Sequence, residues 1–455
     1  MTTNEITIDV AGFKKVLDMV KGCVPSKPTL PILVNVKLDW DKAAGKFYLS
    51  ASNGDQYLTV ECAERRKVDD GIQTEACVHM LNEDPKEHWQ PVCLPYAALR
   101  DMFTLLPAAR RCLVQLEEND GVRKMKIDYQ DGKTSLPYDA AEEFPVPPAV
   151  ITADSEAGQR RKQLVEQIEQ IVKEQGENAN GLASLRTELG GIPAPLCRFQ
   201  TDAAPLLTAV RSAKTCSADD ELRPVMNSVC LDCFIDSIVV VASDGHKFYK
   251  QVLETPGYLQ QIGFPADGST RLLLPKQAMS SIVSALDKSE RITVTADSQR
   301  MQFSTDGVTL ITRCIEGNYP NYESVIPKEN PYKVALSRDT LRMALRRVGL
   351  SANTSSNMAT LSFASDAFVV AAEDYDFSRE GSERVPIQQN DAFLPADFKI
   401  GIKISSTLDL LDLLDEDSIQ LFLSDPSRAI LLKNESPTLQ GKTLLQMPML
   451  VQGGE

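Results

Sequence analysis

Histidine is scarce, with 3 in 455 residues, and tryptophan occurs twice. No apolar run approaches the roughly 18 residues of a membrane span, so no bilayer crossing is expected. The opening stretch Met1-Thr2-Thr3-Asn4-Glu5-Ile6 lacks the basic and apolar regions of a secretory signal. Together with 10 scattered cysteines, this points to reduced thiols and a cytoplasmic location. There is no G-x-x-x-x-G-K-[ST] loop, so no P-loop nucleotide site is expected. Cationic charge is also short: 48 Lys and Arg against 63 Asp and Glu leave a net −15. Such a balance repels polyanions unless the cations are segregated on one surface.

Groupings that could do chemistry are thin. Ser243-Asp244-Gly245-His246 places three triad residue types side by side, but a triad needs convergence in space, and the run reads as a turn. Cys230 and Cys233 form a C-x-x-C inside a strand-like run. The odd offset sends the two thiols to opposite faces, against a zinc or redox pair. Asp409, Asp412, Asp415 and Asp417 have the spacing of a helix and its capped end rather than of a metal site. No cofactor and no metal are expected.

What is present is repetition. A strand running into an apolar-striped helix occurs at Ile6–Asp9 before Phe13–Val20, at Cys197–Phe199 before Leu206–Val210, and at Lys333–Leu336 before Leu341–Leu345. Each time, period-two alternation gives way to 3.6-residue spacing. Asp202 and Ser337 stand where helix N-caps belong. A second unit, an apolar strand ending in proline ahead of a helix, reads Val92–Pro95, Leu272–Pro275 and Phe393–Pro395. A third, a buried strand ending in an acidic turn, reads Tyr48–Asp55, Val239–Gly245 and Val369–Asp374. The repeat is too long for a solenoid, so each copy is expected to be a whole domain of the α+β class. Between the first two copies, 154–190 predicts a helical hairpin, either a solvated linker or a partner-binding arm. Residues 63–91 form a second charged, irregular stretch.

Several segments resemble one family. Thr29-Leu30-Pro31-Ile32-Leu33 with Asn35, Arg223-Pro224-Val225-Met226-Asn227, Ser243-Asp244-Gly245-His246-Lys247, Gly317-Asn318-Tyr319-Pro320-Asn321-Tyr322, Val325-Ile326-Pro327 and Met447-Pro448-Met449 follow in order over nearly the whole chain. They are similar to segments of the bacterial DNA polymerase III beta subunit, the sliding clamp. The resemblance implies three tandem clamp domains, each with two helices on a curved antiparallel sheet. Two chains close head to tail into a ring around duplex DNA. The domains are expected at 1–150, 195–328 and 329–455, with an insertion at 151–194. The implied function is a non-catalytic processivity factor that tethers the replicative polymerase. The alternative is an α+β enzyme or scaffold with an unrecognised site.

The charge objection can be tested on the six helices expected to line such a ring. Residues 11–22, 95–107, 201–215, 275–288, 337–348 and 404–414 carry +2, 0, +1, +1, +3 and −2, a total of +5, which leaves −20 elsewhere. A basic bore inside an acidic exterior holds phosphates without reading sequence.

By the resemblance, Lys27 and Arg223 match loop positions at the duplex and Lys276 and Arg346 match inner-helix positions; with Lys14, Lys15, Arg100, Arg211, Lys214 and Arg342 on the expected inner helices, they are expected to contact DNA. The family's peptide pocket, which serves polymerases and the clamp loader, maps to Met226, Gly245, His246, Lys247, Phe248, Pro320, Val325, Ser427, Arg428, Leu445, Met447, Pro448 and Met449. Leu136 and Leu350 map to the homodimer interface. Three departures stand out. Ser324 replaces a common basic residue, Thr134 replaces an apolar one, and Leu450-Val451-Gln452-Gly453-Gly454-Glu455 follows the last methionine.

Overall fold

A computed structural model describes residues 4–68, 71–81, 89–108, 110–130, 132–177, 179–220, 222–254, 260–261, 268–364, 366–390, 394–395, 398–434 and 441–451. Phe393 and residues 452–455, which figure in the expectations above, lie outside these, as do parts of 63–91 and residue 178 within 154–190. The chain forms two compact units. The first holds 1–207, 257–270 and 277–314, and the second holds 208–256, 271–276 and 315–455. The expected middle domain therefore contributes strands to both.

In the first unit, the strand Asn4–Asp9 leads directly into the helix Val10–Val20, and the Asp9 carboxylate caps it by accepting from the Gly12 amide at 3.1 Å. The apolar stripe Phe13, Val16, Leu17 and Val20 is wholly buried. It meets the helix Tyr96–Leu105, with the Phe13 and Phe103 rings 4.9 Å apart and the Tyr96 hydroxyl donating to the Leu17 carbonyl. Ring pairs at such distances add ~1 kcal/mol beyond the area they bury. A ten-stranded antiparallel sheet arises where the strand Gln56–Glu61 pairs with Val308–Arg313, Val60 opposite Val308. A separate five-stranded sheet ends on the strand Gly132–Pro137.

In the second unit, a nine-stranded sheet forms where Lys247–Glu254 pairs with Lys442–Gln446. A four-stranded sheet ends on Arg379–Pro386 at one edge. The helix Arg338–Val348 is capped by the Ser337 hydroxyl and packs on the helix Ile404–Leu411.

Three expectations need correction. Pro95 stands at the N-cap, one residue before its helix rather than inside it, where its fixed φ suits the extended cap conformation. In the third copy of that unit, Leu394 and Pro395 are not in a strand. The strand preceding the helix is Lys399–Lys403, and no proline marks the join. The stretch beginning at residue 63 is not irregular at its start, since Ala63–Val68 and Gly71–Ala76 pair as a hairpin.

The insertion is a helical hairpin, as its periodicity predicts. Helices Glu156–Gln175 and Leu182–Gly191 are joined by Arg160 to Glu188, and by Arg161 donating to the Leu189 and Ile192 carbonyls. Leu164 and Leu182 are buried. Among the described residues, no helix is long and apolar enough to cross a membrane.

Candidate functional site

The expected pocket residues all fall in the second unit, and the fold brings several of them together. The acidic turn after the strand Ser237–Ser243 is fixed locally. One Asp244 carboxylate oxygen accepts the amides of His246 and Lys247, both at 2.8 Å, and the Ser243 hydroxyl accepts the Gly245 amide. Gly245 has φ +94°, a conformation that a side chain disfavours. The chain then enters Lys247–Glu254, which sets Phe248 opposite Leu445. One step past that register the Met447 amide donates to the His246 carbonyl at 2.7 Å, and the Met449 amide donates to Gly401 at 2.8 Å. The Met447–Met449 segment is thus held by backbone at both ends, and its side chains are half-buried.

An apolar cluster lies beneath it: Phe248, Leu445, Tyr319, Tyr322, Ala429, Leu431, Cys230 and Leu273, with Met447, Val225 and Ile326 packed against them. Phe248, Leu445 and Met447 are thereby brought together. Met226, Val325 and Arg428 each adjoin a member of the cluster in sequence. Pro320, Val325, Ser427 and Arg428 are exposed at the surface. Asp425 fixes the turn carrying the last two by accepting from the Ser427 amide and hydroxyl, and the hydroxyl bond holds its carboxyl below the usual range. Such an apolar floor with flexible methionines and few polar groups suits short peptides.

The segment 315–327 is pinned by contacts that the motifs did not announce. Asp232 is fully buried, and one of its oxygens accepts from the Tyr322 hydroxyl at 2.8 Å and from Arg271 Nε at 3.0 Å. The cations of Lys250 and Arg271 each stand over the Tyr322 ring, 5.6 Å from its centroid. Burial, then the bond to Asp232, pushes the Tyr322 phenol far above its ordinary value, so it stays a donor. Asp232 did carry a signal in the sequence, a lone carboxylate inside the apolar run Val229–Phe234. Gly317 has φ +128°, and a Cβ there would meet Val225 at 2.9 Å. Gly317→Ala is therefore expected to lower stability by ~1–3 kcal/mol and to weaken peptide binding. Parallel denaturant melts and peptide titrations check this.

Lys247 is where the expectation of a pocket cation is modified. Its side chain is 10% exposed and its ammonium bonds the Asp409 carboxylate of the helix Ile404–Leu411. Its charge is already matched, and what it offers the pocket is its backbone. The Arg223 guanidinium approaches within 3.9 Å of where a Gly245 side chain would begin, while its Nε bonds Asp220 at 2.7 Å. Arg223, expected at DNA, therefore also adjoins the pocket turn.

The expected DNA contacts divide between the units. In the first, Lys14 and Lys15 lie on the helix Val10–Val20, Arg100 on the helix Tyr96–Leu105, and Lys27 in an exposed loop. Lys15 bonds Glu64, which two nitrogens of Arg66 also hold, and these cations draw the Glu64 carboxyl down to about 2. Arg100 lies 3.4 Å from Asp18.

In the second unit, Arg211 and Lys214 lie on the helix Ala203–Cys216, and Arg342 and Arg346 on Arg338–Val348. Arg342 is paired with Asp412 at 2.9 Å, which accounts for one of the acidic residues that spoiled the sixth helix. Lys276 is 2.9 Å from Asp219 and also donates to the Ser217 and Ala218 carbonyls at the end of Ala203–Cys216, a helix-capping role. Lys14, Lys27 and Arg346 have no ion pair among the described residues. Over the observed helix bounds, the six helices carry a net +6.

Burial disfavours the thiolate form at four of the cysteines. Burial pushes the Cys23 thiol up to about 11 and those of Cys93, Cys216 and Cys314 to about 12. His79 sits in the short strand Val78–Met80, opposite Thr7.

Comparison with known proteins agrees with this architecture. Two family profiles match, described as the central domain of the DNA polymerase III beta subunit over residues 201–321 and its C-terminal domain over 323–449. Together they span more than half of the chain. A beta sliding clamp from Synechococcus elongatus is 24% identical over 417 residues, 90% of this chain and 92% of that one. One from Synechocystis is 25% identical over 428 residues, 91% and 92% of the two chains. A solved sliding clamp from Pseudomonas aeruginosa superposes with a TM-score of 0.73 at 17% identity, covering 99% of this chain and 100% of that one. A solved beta subunit from Thermotoga maritima gives 0.71 at 18%, covering 99% and 100%. With the order of its motifs and the make-up of both units, this places the chain in the DNA polymerase III beta subunit family, the beta sliding clamps.

Proposed function

We propose that this chain works as a DNA sliding clamp, a head-to-tail homodimeric ring that encircles duplex DNA and tethers the replicative polymerase without catalysis. One observation carries the reading most directly. Val225 and the segments 319–326, 429–431 and 445–447, far apart in sequence, contribute with Phe248 to one apolar cluster, as the family's peptide pocket requires. Polymerase and clamp-loader peptides would bind there through an apolar pair, with Ser427 and Arg428 at the rim. The ten cations named above would face the duplex, with Lys14, Lys27 and Arg346 free to release counterions on contact. The three-domain division at 1–150, 195–328 and 329–455, with 151–194 inserted, belongs to this proposal, as does a cytoplasmic location.

Ring closure needs an open sheet edge on each side. Leu136 is half-buried on the edge strand Gly132–Pro137, and Leu350 is 78% exposed in the turn Gly349–Ser351 that packs on the edge strand Arg379–Pro386. After loading onto nicked circular DNA, the protein is expected to co-elute with the circle and to be shed when the circle is linearised. Equal retention on both forms would exclude a topological link and leave the enzyme or scaffold reading.

A further inference from the structure

The open edge of the four-stranded sheet carries more apolar surface than Leu350. The turn Tyr375–Phe377 leads straight into the edge strand Arg379–Pro386, and both of its aromatic rings face solvent, Tyr375 86% exposed and Phe377 66%. This turn is fastened beside that of Leu350. Asn353 Nδ2 donates to Asp374 Oδ1 at 3.3 Å and to Asp376 Oδ2 at 3.4 Å. Gly381, on the edge strand, is so close to Ser351 that a Cβ would meet its hydroxyl at 2.9 Å. The rings are also partly ordered in place. The Tyr375 hydroxyl bonds the Glu373 carboxylate, and the Arg379 guanidinium stands 5.2 Å from the Phe377 centroid. Leu350, Tyr375 and Phe377 are thus three exposed apolar side chains on two adjoining turns, beside a strand edge that is unpaired among the described residues. Left in water, such an edge invites pairing with another chain.

Charge indicates the occupant. Residues 366–384 carry six carboxylates and two arginines, net −4, whereas 122–137 carry four Lys and Arg and two Asp, net +2. The second stretch contains the other open edge, Gly132–Pro137, and the strand paired to it, Val122–Tyr129. An acidic edge does not pair with its own copy but matches the basic edge, which selects a head-to-tail contact between two copies. Thr134 sits on the basic edge where the family has an apolar residue, so apolar area lost there has to be supplied from the opposite side.

We propose that Tyr375 and Phe377 are part of the subunit interface of the ring, packing with Leu350 against the Gly132–Pro137 edge of the second copy and replacing the apolar contact that Thr134 no longer provides. This rests on the ring reading above. The test uses the full-length protein carrying Tyr375→Ser with Phe377→Ser, a separate Leu350→Ser protein, and Ile235→Ser as an exposed control. Dimer dissociation is measured by sedimentation across a dilution series. The aromatic pair is expected to weaken the dimer by 10- to 100-fold, with the control unchanged and the melting profile of each protomer retained. An unaltered dimer in the aromatic variant, with a weakened one for Leu350→Ser, would overturn the inference and leave the ring reading in place. If neither variant shifts the dimer, neither turn lies in the interface and the inference fails; if the unmutated protein is monomeric throughout, the ring reading fails and takes the inference with it.

Discussion

A chain carrying Met447→Ala with Met449→Ala is expected to bind a labelled peptide containing a Gln and a Leu-Phe pair at least about 100-fold more weakly, while remaining dimeric. The magnitude follows from the surface removed. Each methionine is half-buried, and burying an apolar side chain of this size in a contact contributes ~1.5–2 kcal/mol. Two such losses approach ~3 kcal/mol, or about two powers of ten in affinity. The backbone should not move, because its bonds do not involve the side chains: Met447 donates to His246 and Met449 to Gly401 through main-chain amides. Fluorescence anisotropy with the peptide reads the affinity, and light scattering reads the dimer. Unchanged affinity would remove Met447 and Met449 from the pocket and leave Phe248 and Leu445 as packing only.

The same segment shows how much of the site was legible in the sequence. The strands and helices could be read from periodicity because burial follows it: the Val10–Val20 helix buries Phe13, Val16, Leu17 and Val20 and leaves Lys14 half-buried and Lys15 exposed between them. The glycine turns could be read because only one residue type tolerates their φ, as at Gly245. Partner choice could not be read. That Lys247 spends its charge on Asp409, or Lys276 on the end of a neighbouring helix, depends on contacts 162 and roughly 60 residues apart along the chain. The proline rule failed at Pro395 because it is a local preference, and pairing of the Lys399–Lys403 strand with Met358–Phe363 decided where the third helix starts. The 63–76 hairpin was missed because its charged strands do not alternate in the usual way. Glu64 is buried and is satisfied by Arg66 two residues on and by Lys15, while Arg66 itself stays exposed.

Paired cations set the terms of the second large effect. Lys14→Glu with Arg346→Glu is expected to weaken duplex binding far more than Lys15→Ala or Arg342→Ala. Lys15 and Arg342 already neutralise Glu64 and Asp412, so removing them frees a carboxylate but forfeits little released counterion. Lys14 and Arg346 have no such partner among the described residues. Each phosphate contact contributes about 0.9 to the slope of log affinity against log salt. Two positions in each of two chains make four contacts, so the slope should become shallower by about 3.6, and affinity at 0.1 M salt should drop by about a thousandfold. Fluorescence titration of a short duplex over a salt series measures both quantities. A slope unaltered by the double reversal would mean that these helices do not face the nucleic acid, whatever else the ring encloses. Lys27→Glu, tested alongside, separates the contribution of the loop from that of the helices.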